Sequence, residues 1–118
     1  VSSELDAEKF HRWILTVLDV LASPPDRQLD YLRTSHVDVD EIALQFDDAF
    51  NAARASLHAD LMSRTDFERL RPVRERLDAI ANDSHHLWER EALGEAAEWQ
   101  EVRKAAAQAR TELGNAWR

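Results

Sequence analysis

The chain has 118 residues, of which 44% are hydrophobic and 32% charged, with two glycines, three prolines and no cysteine. This is the size and balance of one folded domain, here residues 1–118, and it excludes a disulfide framework, a thiolate metal site, a cysteine nucleophile and a glycine-rich phosphate loop. The net charge of −8 is uneven: residues 1–63 carry 5 basic and 12 acidic groups, residues 64–118 carry 10 and 11, so a phosphate backbone or an anionic membrane is repelled by most of the surface.

Eighteen alanines and abundant Leu, Glu and Arg point to an all-α chain. No apolar run approaches the roughly 18 residues of a membrane span, since Asp19 interrupts "WILTVLDVLA". A cytoplasmic protein is expected, although Val1 in place of Met leaves room for a leader removed ahead of it.

Phe10, Trp13, Ile14, Val17, Leu18 and Leu21 recur at the spacing of one helical face and predict a helix over 4–22. Ser23-Pro24-Pro25 stops it and opens a short second helix, 24–34, that offers Leu29, Tyr31 and Leu32 to the core.

The third helix, 39–63, begins in "VDVDEIALQFDDAF", which holds five carboxylates in fourteen residues. Asp38 and Glu41 have the spacing of a capping box, and Val37 and Ile42 that of a hydrophobic staple. On a helical wheel with Ile42 at zero, the apolar face centres near 35°, Asp40 and Asp47 fall at about 150°, and Glu41 and Asp48 at about 250°. The acids therefore form two splayed rows rather than an inward cage. Leu44 falls near 200° with Ala55 and Met62, on a second apolar row bordered by Glu41 and Asp48. A helix apolar on two sides is either central in its bundle or offers one side to another protein.

Thr65 with Glu68 repeats the capping spacing and predicts a helix over 66–81, with Leu70, Val73, Leu77 and Ile80 inward and a kink or restart at Pro72. Arg64, Arg69, Arg71, Arg74 and Arg76 crowd this stretch but alternate with Asp66, Glu68, Glu75 and Asp78, a pattern for internal pairing. The last helix, 85–114, carries Trp88, Ala92, Ala96, Trp99, Val102, Ala106, Ala109 and Leu113; unbroken, it would run about 45 Å, so either Gly94 breaks it or its end seeks a partner. These elements predict an antiparallel bundle of four main helices and one short one.

Chemistry-bearing constellations are weak. Glu8 with His11 and Asp83 with His86 have the Glu-x-x-His spacing of di-iron bundles but sit in first turns, pointing away from the core stripe. His85, His86 and Glu89 can cluster at the start of the last helix as a ligand or metal site, though adjacent histidines diverge by about 100°. No Gly-x-Ser-x-Gly elbow occurs. Of the four tryptophans, Trp13 and Trp99 fall on core stripes, while terminal Trp117 suits a contact surface.

The reading with most support is a non-enzymatic, acidic protein-interaction module, an adaptor, regulator or inhibitor-type partner of a basic surface. Its contacts would come from Leu44, Asp48, Glu41, Met62 and Trp117, or from self-association as a homodimer along the Trp99–Leu113 seam. No catalytic residue, cofactor, nucleic acid or membrane is expected. The competing reading is a helical bundle that binds a small molecule or metal, or an enzyme built on one, with its pocket near His85, His86 and Glu89.

Overall fold

In the computed structural model, which describes residues 2–81 and 85–118 (side chains 6–81 and 86–118), every regular element is helical. The α-helices are α1 (Ser2–Ala22), α2 (Pro25–Ser35), α3 (Asp40–Ser56), α4 (Arg64–Glu68), α5 (Arg71–Ala81), α6 (Arg90–Glu95) and α7 (Ala97–Ala116), with 3-10 turns at Leu57–Ala59 and His85–Trp88. The all-α class is thus as the periodicity predicts. No helix among the described residues is long and apolar enough to cross a membrane.

α7 lies along α1 and α5, and α1 also packs on α3. Arg110 Nε donates to Asp19 Oδ1 at 2.8 Å while Trp117 stacks on His11, so α1 and α7 run antiparallel. The α4 stretch also runs antiparallel to α7, since Trp117 Nε1 reaches Asp66 at 3.0 Å and Arg69 Nη1 the Glu112 carbonyl at 3.0 Å. Ile14, Leu18, Phe46, Phe50, Ile80 and Trp99 are among the largest side chains that this arrangement removes from water.

The boundaries depart from expectation in four places. α3 stops at Ser56 rather than 63, where the Ser56 hydroxyl bonds back to the Ala52 carbonyl at 2.6 Å and Asp60 turns the chain in the left-handed region at φ 57°. The fourth helix is two: the restart expected at Pro72 occurs, with Pro72 in the first turn of α5, but the cap of α4 is Ser63 rather than Thr65, accepting from the Asp66 amide at 3.1 Å. α3 starts without a side-chain cap: the Asp38 backbone carbonyl, not its carboxylate, receives the Glu41 amide at 3.0 Å. Finally, the long C-terminal helix breaks at Ala96 (φ −78°, ψ 131°), two residues after Gly94.

The break has a local compensation. Arg103 Nη1 donates to the Leu93 carbonyl at 2.7 Å and to Gln28 Oε1 at 3.2 Å, while Gln28 Nε2 donates to the carbonyls of Val20 and Leu21 at 3.1 and 3.0 Å. A fully buried amide thus satisfies the end of α1 and, through Arg103, the end of α6. Burial lowers the pKa of the Arg103 guanidinium. Beyond the break, Trp99, Val102, Ala106, Ala109 and Leu113 are all buried inside the chain. The seam expected to support a homodimer is consumed by α1 and α5.

Gly94 is inside α6 without a positive φ, and a Cβ there would meet Pro25 Cβ at 3.9 Å, an ordinary contact. Gly94→Ala should therefore stabilise the protein by about 0.5–1 kcal/mol by restricting the unfolded chain. The check is a higher denaturant midpoint with an unchanged slope.

Candidate functional site

Two large apolar side chains stand exposed among the described residues: Leu44, at 50%, and Trp13, at 40%. Leu44 is turned from the core because Ile42, Phe46, Ala49, Phe50 and Ala53 take the inward face of α3, and it emerges on the flank toward α5. There it lines a trough of about 210 Å³ with Ala43, Leu77, Ala81 and Trp88, edged by Asp40, Asp47 and Asp78. Trp13 was expected in the core; it lies instead at the margin of α1, where Phe10 packs on its ring edge and Ile14 and Val17 take the buried positions.

Asp40 and Trp88 also line an adjoining basin of about 630 Å³, completed by Asp38, Val39, Glu89, Arg90 and Glu91. Four carboxylates and one guanidinium there leave a local excess of negative charge. Each acid is individually accounted for by its place at the start of α3 or α6, where the helix dipole favours it. What those placements add is convergence: two helix starts put both sets of acids on one concavity beside an indole.

Trp88 is the residue that sequence reasoning left out of the site. Its ring stands perpendicular to that of Trp99, 82° between planes and 5.9 Å between centroids. Trp99 Nε1 donates to the Leu87 carbonyl at 2.7 Å in a buried bond, which pins the turn that carries Trp88. The available signal was a tryptophan ahead of a helix start and followed by Glu89 and Glu91, but the apolar stripe of the last helix absorbed it.

At the far end of the trough the charge is partly offset. Arg74 Nη1 lies 3.2 Å from Asp47 Oδ1, and its Nε donates to the Asp78 carboxylate at 3.1 Å. The same guanidinium sits 5.0 Å from the centroid of the Phe50 ring, a cation–π placement. The groove is therefore polarised, with one guanidinium between two carboxylates at Arg74 and one among four at Trp88. Three more of the arginines are paired within the chain: Arg71 forks onto Glu68 at 2.6 and 3.1 Å, which lowers the pKa of Glu68 and raises that of Arg71, Arg64 approaches Glu68 at 3.9 Å, and Arg69 approaches Asp66 at 4.0 Å.

The remaining site expectations are dispersed by the fold. Met62 is 4% exposed, because α3 ends before it and the reversal at Asp60 carries it into the core; it does not share a face with Leu44. Glu41 is half-buried, and Asp48 borders a separate hollow with Trp13, Tyr31 and Gln45 on the other flank of α3. Trp117 is half-buried and engaged within its own chain: it stacks on His11 with centroids 3.9 Å apart and planes within 5°, and its Nε1 donates to Asp66 Oδ2 at 3.0 Å. His11 in turn places Nε2 2.9 Å from the Leu61 carbonyl, which makes Nε2 the donor and gives His11 a structural task. His86 and Glu89 are exposed around a hollow with Glu91, Glu95 and Glu98. Asp83 and the side chain of His85 lie outside the described residues, among which no group of three or more His, Asp or Glu could hold a metal ion.

Comparison with protein-family models, with curated proteins and with solved structures gives no match to this chain. The groove's chemistry must stand on its own geometry.

Leu44 and Trp117 should separate cleanly in a stability measurement. Leu44→Glu replaces an exposed side chain on a helix and should change unfolding free energy by no more than about 0.5 kcal/mol. Trp117→Ala removes the stack on His11 and the bond to Asp66, and should cost about 1–2 kcal/mol. Chemical denaturation of both variants provides the comparison.

Proposed function

We propose that this protein is an acidic, non-enzymatic interaction module that binds a partner protein through the α3–α5 groove. The observation that carries the reading is the trough itself: Leu44, half exposed, beside Ala43, Leu77, Ala81 and Trp88, with carboxylates along its edges. An exposed apolar strip inside a concave, charged rim is the usual anatomy of a protein contact, with an aromatic anchor where binding energy concentrates.

The net charge of −8 supports a basic partner surface, for which it would raise the rate of encounter, and disfavours nucleic acid. The basin is lined by Asp38, Val39, Asp40, Trp88, Glu89, Arg90 and Glu91, whose excess of carboxylate beside an indole suits a cationic side chain of a partner.

Affinity capture from the native source with the wild-type chain and the Leu44→Glu variant tests the reading. The expected result is a partner retained by the wild type at low salt, weakened at high salt, and depleted at least tenfold by Leu44→Glu. A partner set indifferent to Leu44, or none at any salt concentration, would sink it.

A further inference from the structure

The groove carries more information than the existence of a partner, since its shape and its charge gradient restrict what can occupy it. Resting on the interaction reading above, we infer that its occupant is an amphipathic helix of a partner protein, seating apolar side chains against Leu44, Leu77 and Ala81 and a lysine or arginine in the acidic basin beside Trp88.

The form of the occupant follows from the walls. The trough lies between two helices, α3 and α5, both of which line it and which the pairing of Arg74 with Asp47 ties together. A cleft between two helices accepts a third by ridges and grooves, at an axis separation of about 8–10 Å. A strand would find no edge to extend among the described residues, all of whose regular elements are helical. From Asp40 to Asp47 the wall runs about 10 Å at 1.5 Å per residue, which admits two turns of an incoming helix and apolar residues at i and i+3 or i+4.

The charge of the occupant follows from the rim. Arg74 offsets one of the two charges of Asp47 and Asp78 at one end. Asp38, Asp40, Glu89 and Glu91 face the other end with Arg90 as the basic group in the lining. An incoming cation there meets an excess of carboxylate and the indole of Trp88, which Trp99 and the Leu87 carbonyl already hold in place. Little ordering is required of that aromatic group on binding. The gradient also sets direction: the basic end of the partner helix goes to Trp88 and its neutral end to Arg74.

The test is an NMR titration of the full chain with three synthetic 18-residue peptides. One is a helix with leucines on one face and lysines on the other; one replaces every lysine with glutamate; one keeps the first composition but scrambles the order so that no apolar face forms. The first should move the Trp88 indole N–H and the Leu44 methyl resonances while leaving the Trp13 indole still. Leu44→Glu should weaken it at least tenfold, as should Asp40→Asn combined with Glu89→Gln, exposed changes that preserve side-chain shape. Equal binding of the scrambled or the glutamate peptide, shifts centred on Trp13, or no shift at millimolar peptide overturns the inference. If a partner is captured in a Leu44-dependent way while the amphipathic peptide leaves Trp88 unmoved, the interaction reading stands and this one falls. If the peptide binds at Trp88 but no partner depends on Leu44, the interaction reading falls instead.

Discussion

Trp99 is the residue on which the arrangement of the C-terminal half depends. Fully buried at the first turn of α7, it stands against Trp88, and its indole N–H reaches back to the Leu87 carbonyl. That bond joins α7 to the 3-10 turn ahead of α6, across the break at Ala96. Without it, the turn would present an unsatisfied buried carbonyl, at a cost of about 1–3 kcal/mol, and Trp88 would lose the surface it leans on. The groove wall is therefore a consequence of core packing, not of a loop placed on top of it.

The same linkage explains why the last helix breaks. A single rod from residue 85 to 114 would run about 45 Å, the whole of the molecule's longest dimension of 45 Å. Breaking at Ala96 lets α6 pack against α2 while α7 turns along α1 and α5. The cost of interrupting the hydrogen-bond ladder is offset by Arg103 on the Leu93 carbonyl and by Gln28 between the two. Arg103 and Gln28 are 75 residues apart, and no local pattern announces such a pair. Gly94, the obvious breaker, is a helical residue; the break falls where tertiary packing needs it.

This separates what was legible in the sequence from what was not. The helical class and the inward stripes of α1, α3, α5 and α7 follow from 3.6-residue periodicity, because apolar burial enforces that spacing wherever a helix covers a core. The orientation of Leu44 followed from the same wheel. Helix ends did not: the α3 stop is set by Ser56 and by the left-handed Asp60, and that early stop sends Met62 inward. Nor did the basin, whose two halves lie some fifty residues apart in the chain and meet only because α3 and α6 begin side by side. Asp38 and Asp40 looked like helix-start acids, and they are; their second role depends on Trp88 arriving next to them.

Exposure by itself would not single out Leu44, since isolated apolar residues on a surface are ordinary. Trp13 is nearly as exposed and larger, on the opposite flank of α3, in a hollow it shares with Thr16, Val20, Tyr31, Gln45 and Asp48. There Gln45 and Tyr31 hydrogen-bond to each other, and one carboxylate edges the hollow. Around Leu44 the lining includes Ala43, Leu77, Ala81 and Trp88, and the trough shares Asp40 and Trp88 with a basin lined by four carboxylates and one guanidinium. The Trp13 hollow has polar groups already partnered and little charge to direct a ligand. The Leu44 groove has apolar area, a rigid aromatic wall and an uncompensated field in one place, and it is that coincidence, rather than any single residue, that distinguishes it.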